Sequence, residues 1–124
     1  MKLSTPCFVC VLRVLTEIRD GIAELAGNSQ SQAIHEAINI DFIKRQTEHG
    51  VYGWDNCQHL IGAVVYIIRR VQEPRRDTDT SCRWNEVKSS MMGSDIEWPR
   101  VLCKALEFLL DRVNILRIDA ANAR

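Results

Sequence analysis

The chain carries no excess of either charge, because 16 Lys and Arg are balanced by 16 Asp and Glu. That balance removes the overall field that would recruit nucleic acid or an anionic membrane, and also the acidic excess of a nucleic-acid mimic. Long hydrophobic runs are missing as well. The longest, Leu60 to Ile68, is roughly half of what a bilayer span needs. Lys2 ahead of an apolar run has the outline of an export signal. However, Pro6 precedes that run, Arg13 interrupts it and no small-x-small cleavage site follows, so the run is read as a core helix. Cysteines number five, an odd count. Without an export signal, reduced thiols in a cytoplasm fit better than a disulfide framework. There is no internal repeat and no low-complexity tract. The signatures of phosphate loops, dinucleotide folds, serine-hydrolase elbows and zinc-protease helices are absent too.

What remains is ordinary globular material, 46% apolar and 26% charged, in a length suited to one domain with its own core. Val11, Leu15, Ile18, Ile22 and Leu25 recur at helical spacing. Ser4 or Thr5 can cap that helix, Pro6 suits its first turn and Gly27-Asn28 stops it, which predicts a helix from Pro6 to Ala26. Short helices are predicted over Gln32 to Ile38, with Ser29 or Ser31 as cap, and over Phe42 to Glu48 after a break at Asn39 to Asp41. Val51-Tyr52-Gly53-Trp54-Asp55 reads as a turn with aromatic anchors. Cys57 to Gln72 is apolar on nearly every side, so it is expected at the centre of a bundle. Glu73 to Cys82 carries a proline and little hydrophobicity and reads as a loop, with a short helix over Trp84 to Met92. The last helix starts at Asp95 or Trp98 and runs to about Ala120. The expected fold is all-α, a single domain over 1–124 built as a small bundle of three principal helices plus short connecting helices.

The candidate chemistry is sparse. Cys7-x-x-Cys10 opens a helix, where a thiol can be activated, but a redox motif of this kind needs a βαβ context that the pattern lacks. Zinc would need two more ligands, from Cys57, His59, Cys82 or Cys103, and none forms a second pair. Asp77 to Ser81 opens like a calcium loop, yet Cys82 stands where glycine belongs and Lys88 where glutamate belongs. Arg69, Arg70, Arg75, Arg76 and Arg83 cluster near Trp84 and suit phosphate or RNA contact, with Glu73, Asp77 and Asp79 offsetting much of the charge. His35, His49 and His59 have no nucleophile or carboxylate partner in sequence.

One stretch resembles a known family. Arg45-Gln46-Thr47-Glu48-His49-Gly50-Val51-Tyr52-Gly53-Trp54-Asp55, then His59, then Ala63-Val64-Val65-Tyr66, is similar to the small phage-borne N-terminal domain of dATP/dGTP diphosphohydrolases. Trp84, Trp98 and the amphipathic Val101 to Ile118 fit the same outline. The resemblance implies an all-helical fold and magnesium held by paired carboxylates. Glu17 and Asp20 form one acidic pair at helical spacing, with Glu24 one turn further along. No complementary pair follows, and magnesium needs several oxygens in a near-octahedral array. Turnover of dATP or dGTP is therefore not expected.

The functional expectation is a small, non-enzymatic, phage-encoded protein without a cofactor. It would bind and modulate a host macromolecule, as an inhibitor of CRISPR-type defence does. The alternatives are a magnesium-dependent nucleotide diphosphohydrolase-like protein, with Glu17, Asp20 and Glu24 as its metal residues, and a nucleic-acid-binding regulator. The last helix is apolar over more than one core face, so Phe108, Leu110 and Ile115 are expected at a partner surface, beside Arg75, Arg76, Arg83 and Trp84. A protein partner or a homodimer is favoured over nucleic acid, with no membrane contact and a cytoplasmic location.

Overall fold

A computed structural model of the chain describes residues 5–50, 53–93 and 98–123, with side chains described from Val9 onward except those of Trp98 and Pro99. The expected Ser4 cap, the Cys7 thiol, Val51-Tyr52 and a start at Asp95 lie outside the described residues. The fold is all-α, and among the described residues there is no strand. Its helices are α1 (Thr5–Ala26), α2 (Asn28–Ala37), α3 (Ile40–Glu48), α4 (Trp54–Val71), a 3-10 turn (Pro74–Arg76), α5 (Asp77–Met91) and α6 (Trp98–Asn122). No helix among them is long and apolar enough to cross a membrane.

Local chemistry explains most boundaries. Gly27 adopts φ 92, a left-handed value that suits glycine. Its carbonyl accepts from the amides of Gln30 and Ser31, so α2 restarts at once. The second helix thus begins at Asn28 rather than Gln32, and neither Ser29 nor Ser31 is its cap. Asn39 Oδ1 accepts from the Phe42 amide at 3.0 Å, so the expected break is the N-cap of α3. At the start of α4, Asn56 Oδ1 accepts from the Gly53 amide at 3.0 Å, one half of a capping box.

Two expectations need correction. Glu73 to Cys82 is not a loop: Pro74 begins a 3-10 turn and Asp77 begins a helix of 15 residues. Proline in a first turn and acidic residues near the positive end of a helix are start signals, and low hydrophobicity concealed them. The helix expected at the centre is not buried all round, since Ala63, Tyr66, Arg69 and Arg70 of α4 face outward.

The centre belongs to α6, which packs against α1, α4 and α5. Its residues Leu102, Ala105, Leu109, Val113 and Leu116 are buried, and Val101, Leu106 and Phe108 widen the covered surface. Against it lie Val11, Leu15, Ile18 and Ile22 of α1 and Ile61, Val64, Val65 and Ile68 of α4. Gly21 sits at the α1–α6 crossing, where a Cβ would lie 2.7 Å from Val113 Cγ1. Short helices α2 and α3 pack across α1 and contribute Ile34, Ile38 and Ile43 to the same core.

Candidate functional site

The arginines that cluster in sequence separate into two groups in space. The first group is consumed internally. Asp119, in the last turn of α6, is buried and accepts from Arg75 Nη2 at 3.1 Å, Arg76 Nε at 2.9 Å and Arg76 Nη2 at 2.8 Å. A carboxylate there opposes the negative end of its own helix, and the two guanidiniums of the 3-10 turn compensate it. The hydrogen bond from Arg76, helped by the surrounding positive charge, holds the Asp119 carboxyl below the usual carboxylate range. The same contact raises the Arg76 guanidinium. Arg75 also pairs with Glu73 at 2.6 Å.

Asp79, in the first turn of α5, joins the next part of this network. It accepts from Arg112 Nη1 at 2.7 Å and pairs with Arg83 Nε at 3.4 Å. The Arg112 hydrogen bond, then the charges of Arg112 and Arg83, lower the Asp79 carboxyl. Arg112 itself is only 1% exposed, and its Nε and Nη2 have no hydrogen-bond partner. A buried cation with two vacant donors is costly. Gln72 closes the network by donating to Asp77 Oδ1 at 2.7 Å and accepting from the buried Thr80 hydroxyl at 2.8 Å.

The second group is Arg69 and Arg70, in the last turn of α4. Both are exposed, and among the described residues neither forms an ion pair. Arg70 lies 5.7 Å from the centroid of the Tyr66 ring and donates from Nη1 to the Tyr66 hydroxyl at 3.1 Å. Tyr66 is 61% exposed. These three residues and Asp77 line an open cleft of about 310 Å³ between the end of α4 and the start of α5.

The other expected site residues are placed as follows. Phe108 is buried and stacks on half-buried Trp84, with centroids 6.3 Å apart and planes at 15°. Leu110 and Ile115 are half-buried, while Ile118 beyond them is 55% exposed. Arg75, Arg76 and Arg83 each pair with a carboxylate, Arg75 and Arg83 from exposed positions. Sequence reading missed Arg112 and Asp119; it weighed Asp77 only as a failed calcium loop and a charge offset, and Tyr66 only within the family resemblance. Only Tyr66 had a local signal, its four-residue spacing to Arg70 on a helix.

Glu17 and Glu24 are exposed and Asp20 pairs with its neighbour Arg19 at 3.0 Å. Among the described residues, no group of three His, Cys, Asp or Glu is arranged to hold a metal ion. Cys10, Cys82 and Cys103 are exposed thiols, whereas burial raises the Cys57 thiol to about 11. His59 Nδ1 donates to the Asp55 carbonyl at 2.8 Å, a contact within its own helix.

No curated protein and no solved structure matches the chain. A family model does, over residues 1–124, and its description is T-complex protein 11. That family is eukaryotic, which overturns the resemblance to phage dATP/dGTP diphosphohydrolases. The phage inhibitor of CRISPR-type defence and the magnesium-dependent nucleotide hydrolase fall with it. Of the arginines expected to contact nucleic acid, Arg75, Arg76 and Arg83 are paired with carboxylates, with Arg75 and Arg83 still exposed. The match spans the whole chain, and the chain belongs to the T-complex protein 11 family.

Proposed function

We propose that this chain is a protein-docking module, and that the cleft at the end of α4 takes an acidic segment of a protein partner. The observation that carries this reading is the division of the arginines. Four are paired with Asp79, Asp119 and Glu73, while Arg69 and Arg70 form no ion pair among the described residues and stand beside an exposed tyrosine ring, with Asp77 on the same cleft. Arginines in a last helical turn stabilise that helix end by themselves. A cleft that sets two guanidiniums without ion pairs beside an aromatic face and a phenol goes further, because Arg and Tyr are the side chains that anchor protein interfaces. Carboxylates of a partner can be held by either guanidinium fork. The exposed thiols of Cys10, Cys82 and Cys103 suit work in a reducing cytoplasm.

A fluorescein-labelled twelve-residue peptide rich in Asp and Glu tests the reading by polarisation. Binding is expected at low salt and should weaken as salt rises. The double variant Arg69→Glu, Arg70→Glu should bind about tenfold or more weakly, since reversing charges at a contact removes attraction and adds repulsion. An unchanged affinity in that variant refutes the site. Binding of a DNA duplex in place of the peptide refutes the partner class.

A further inference from the structure

We propose that α5 is a releasable strap over α6, hinged at the 3-10 turn, and that its release regulates the docking cleft. This inference rests on the docking reading for its functional part and on the packing of α5 for the rest. Over its 15 residues α5 fully buries only Thr80 and Met91, whereas α4 buries Ile61, Val64, Val65 and Ile68. A short polar helix is not stable alone in water and depends on its tertiary attachments. Those of α5 are the Trp84–Phe108 stack, the packing of Val87 and Met91 on the core, the Asp79–Arg112 pair, the Thr80–Gln72 hydrogen bond and a hydrogen bond from Gln58 Nε2 to the Met91 carbonyl at 3.0 Å.

A second observation points the same way. The closed arrangement leaves two Arg112 donors buried and vacant, and lifting α5 would let water reach them. Part of the cost of opening is thereby offset. The hinge has a separate anchor, because Asp119 binds Arg75 and Arg76 of the 3-10 turn rather than any residue of α5. The turn can therefore stay on α6 while α5 leaves.

The coupling to the cleft runs through Gln72. In the closed state Gln72 holds Asp77 against the cleft and is itself tied to Thr80. Asp77 thus places a resident carboxylate beside Arg69 and Arg70, where it opposes an incoming acidic segment. Unwinding the first turn of α5 breaks the Thr80–Gln72–Asp77 chain and frees that wall of the cleft.

Hydrogen–deuterium exchange of the whole chain, read by mass spectrometry, tests the proposal. Amides in 81–91 are expected to exchange about tenfold or more faster than those in 58–71 and 102–119, as a separately opening unit does. Trp84→Ala should widen that gap and tighten binding of the acidic peptide several-fold. Arg112→Met should narrow the gap, because it removes the vacant donors. Equal protection of α5 and α4 in the parent overturns the strap. A Trp84→Ala variant that opens α5 with unchanged peptide affinity overturns its control of the cleft. A parent that never binds the peptide refutes the docking reading and with it the regulation, while the exchange gap still decides whether the strap exists.

Discussion

Replacing Arg112 with methionine should make this protein more stable, although it deletes a charged residue that forms a 2.7 Å ion pair. Arg112 is 1% exposed while its partner Asp79 is 52% exposed, so the pair is buried at one end only. The charge-assisted bond contributes about 1.5–3 kcal/mol. Against it stand the two vacant donors, Nε and Nη2, at about 1–3 kcal/mol each. Methionine matches the length of the arginine stem, bends to fill irregular space and asks for no hydrogen bond. Asp79 keeps water and Arg83 once its partner is gone. Replacing buried ionic groups with apolar ones of similar volume is often neutral or stabilising, and a gain of about 1–3 kcal/mol is expected here. For a chain of this length each kcal/mol moves Tm by roughly 3–5 °C. Thermal unfolding followed by circular dichroism, with urea titration beside it, reads the effect directly. A Met variant that melts several degrees below the parent would refute the reasoning and show that the vacant donors are satisfied in the folded protein.

Two further outcomes follow from the same structure. Asp79 and Asp119 are both held below the usual carboxylate range, so their contribution to stability is fully present above about pH 4. It is lost as pH falls through the lowered folded values; urea midpoints measured from pH 7 down to pH 2.5 should drop on that limb, and less steeply in Asp119→Asn. Gly21→Ala should destabilise by about 1 kcal/mol, because overpacking against Val113 Cγ1 at 2.7 Å costs about 1–3 kcal/mol while the better helix former returns up to about 1; a higher urea midpoint for this variant would show that the crossing has room.

Long apolar periodicity was legible in the sequence, and tertiary pairing was not. The first helix was expected from Pro6 to Ala26 and runs Thr5–Ala26; the last was expected to end near Ala120 and ends at Asn122. Each repeats its apolar positions over several turns, so local pattern and global packing agree. Helix α5 has no such stripe. It is held by Trp84 on Phe108 and Asp79 on Arg112, contacts made with residues of α6 far along the chain. The same distance hid the site. That the arginines cluster is visible in one dimension, but which of them are spent depends on Asp119, more than forty residues beyond Arg76. The apolar excess of α6 was legible as residue types but not as geometry: Phe108 is buried against Trp84 of α5, while Leu110 and Ile115 are half-buried and Ile118 is exposed.

The placement of the central helix governs the order in which the molecule can be assembled. In this chain α6 is the helix that α1, α4 and α5 all pack against, and it is synthesised after all of them. Until its residues leave the ribosome, α1 can close only on α2, α3 and α4, and the faces of α1 and α4 that meet α6 stay open. The Gly21–Val113 crossing joins positions more than ninety residues apart, and such contacts form late because the intervening chain must first be ordered. Before α6 joins them, the helices made earlier leave Ile18, Ile22, Val64 and Ile68 incompletely covered and open to whatever binds apolar surface in the cell.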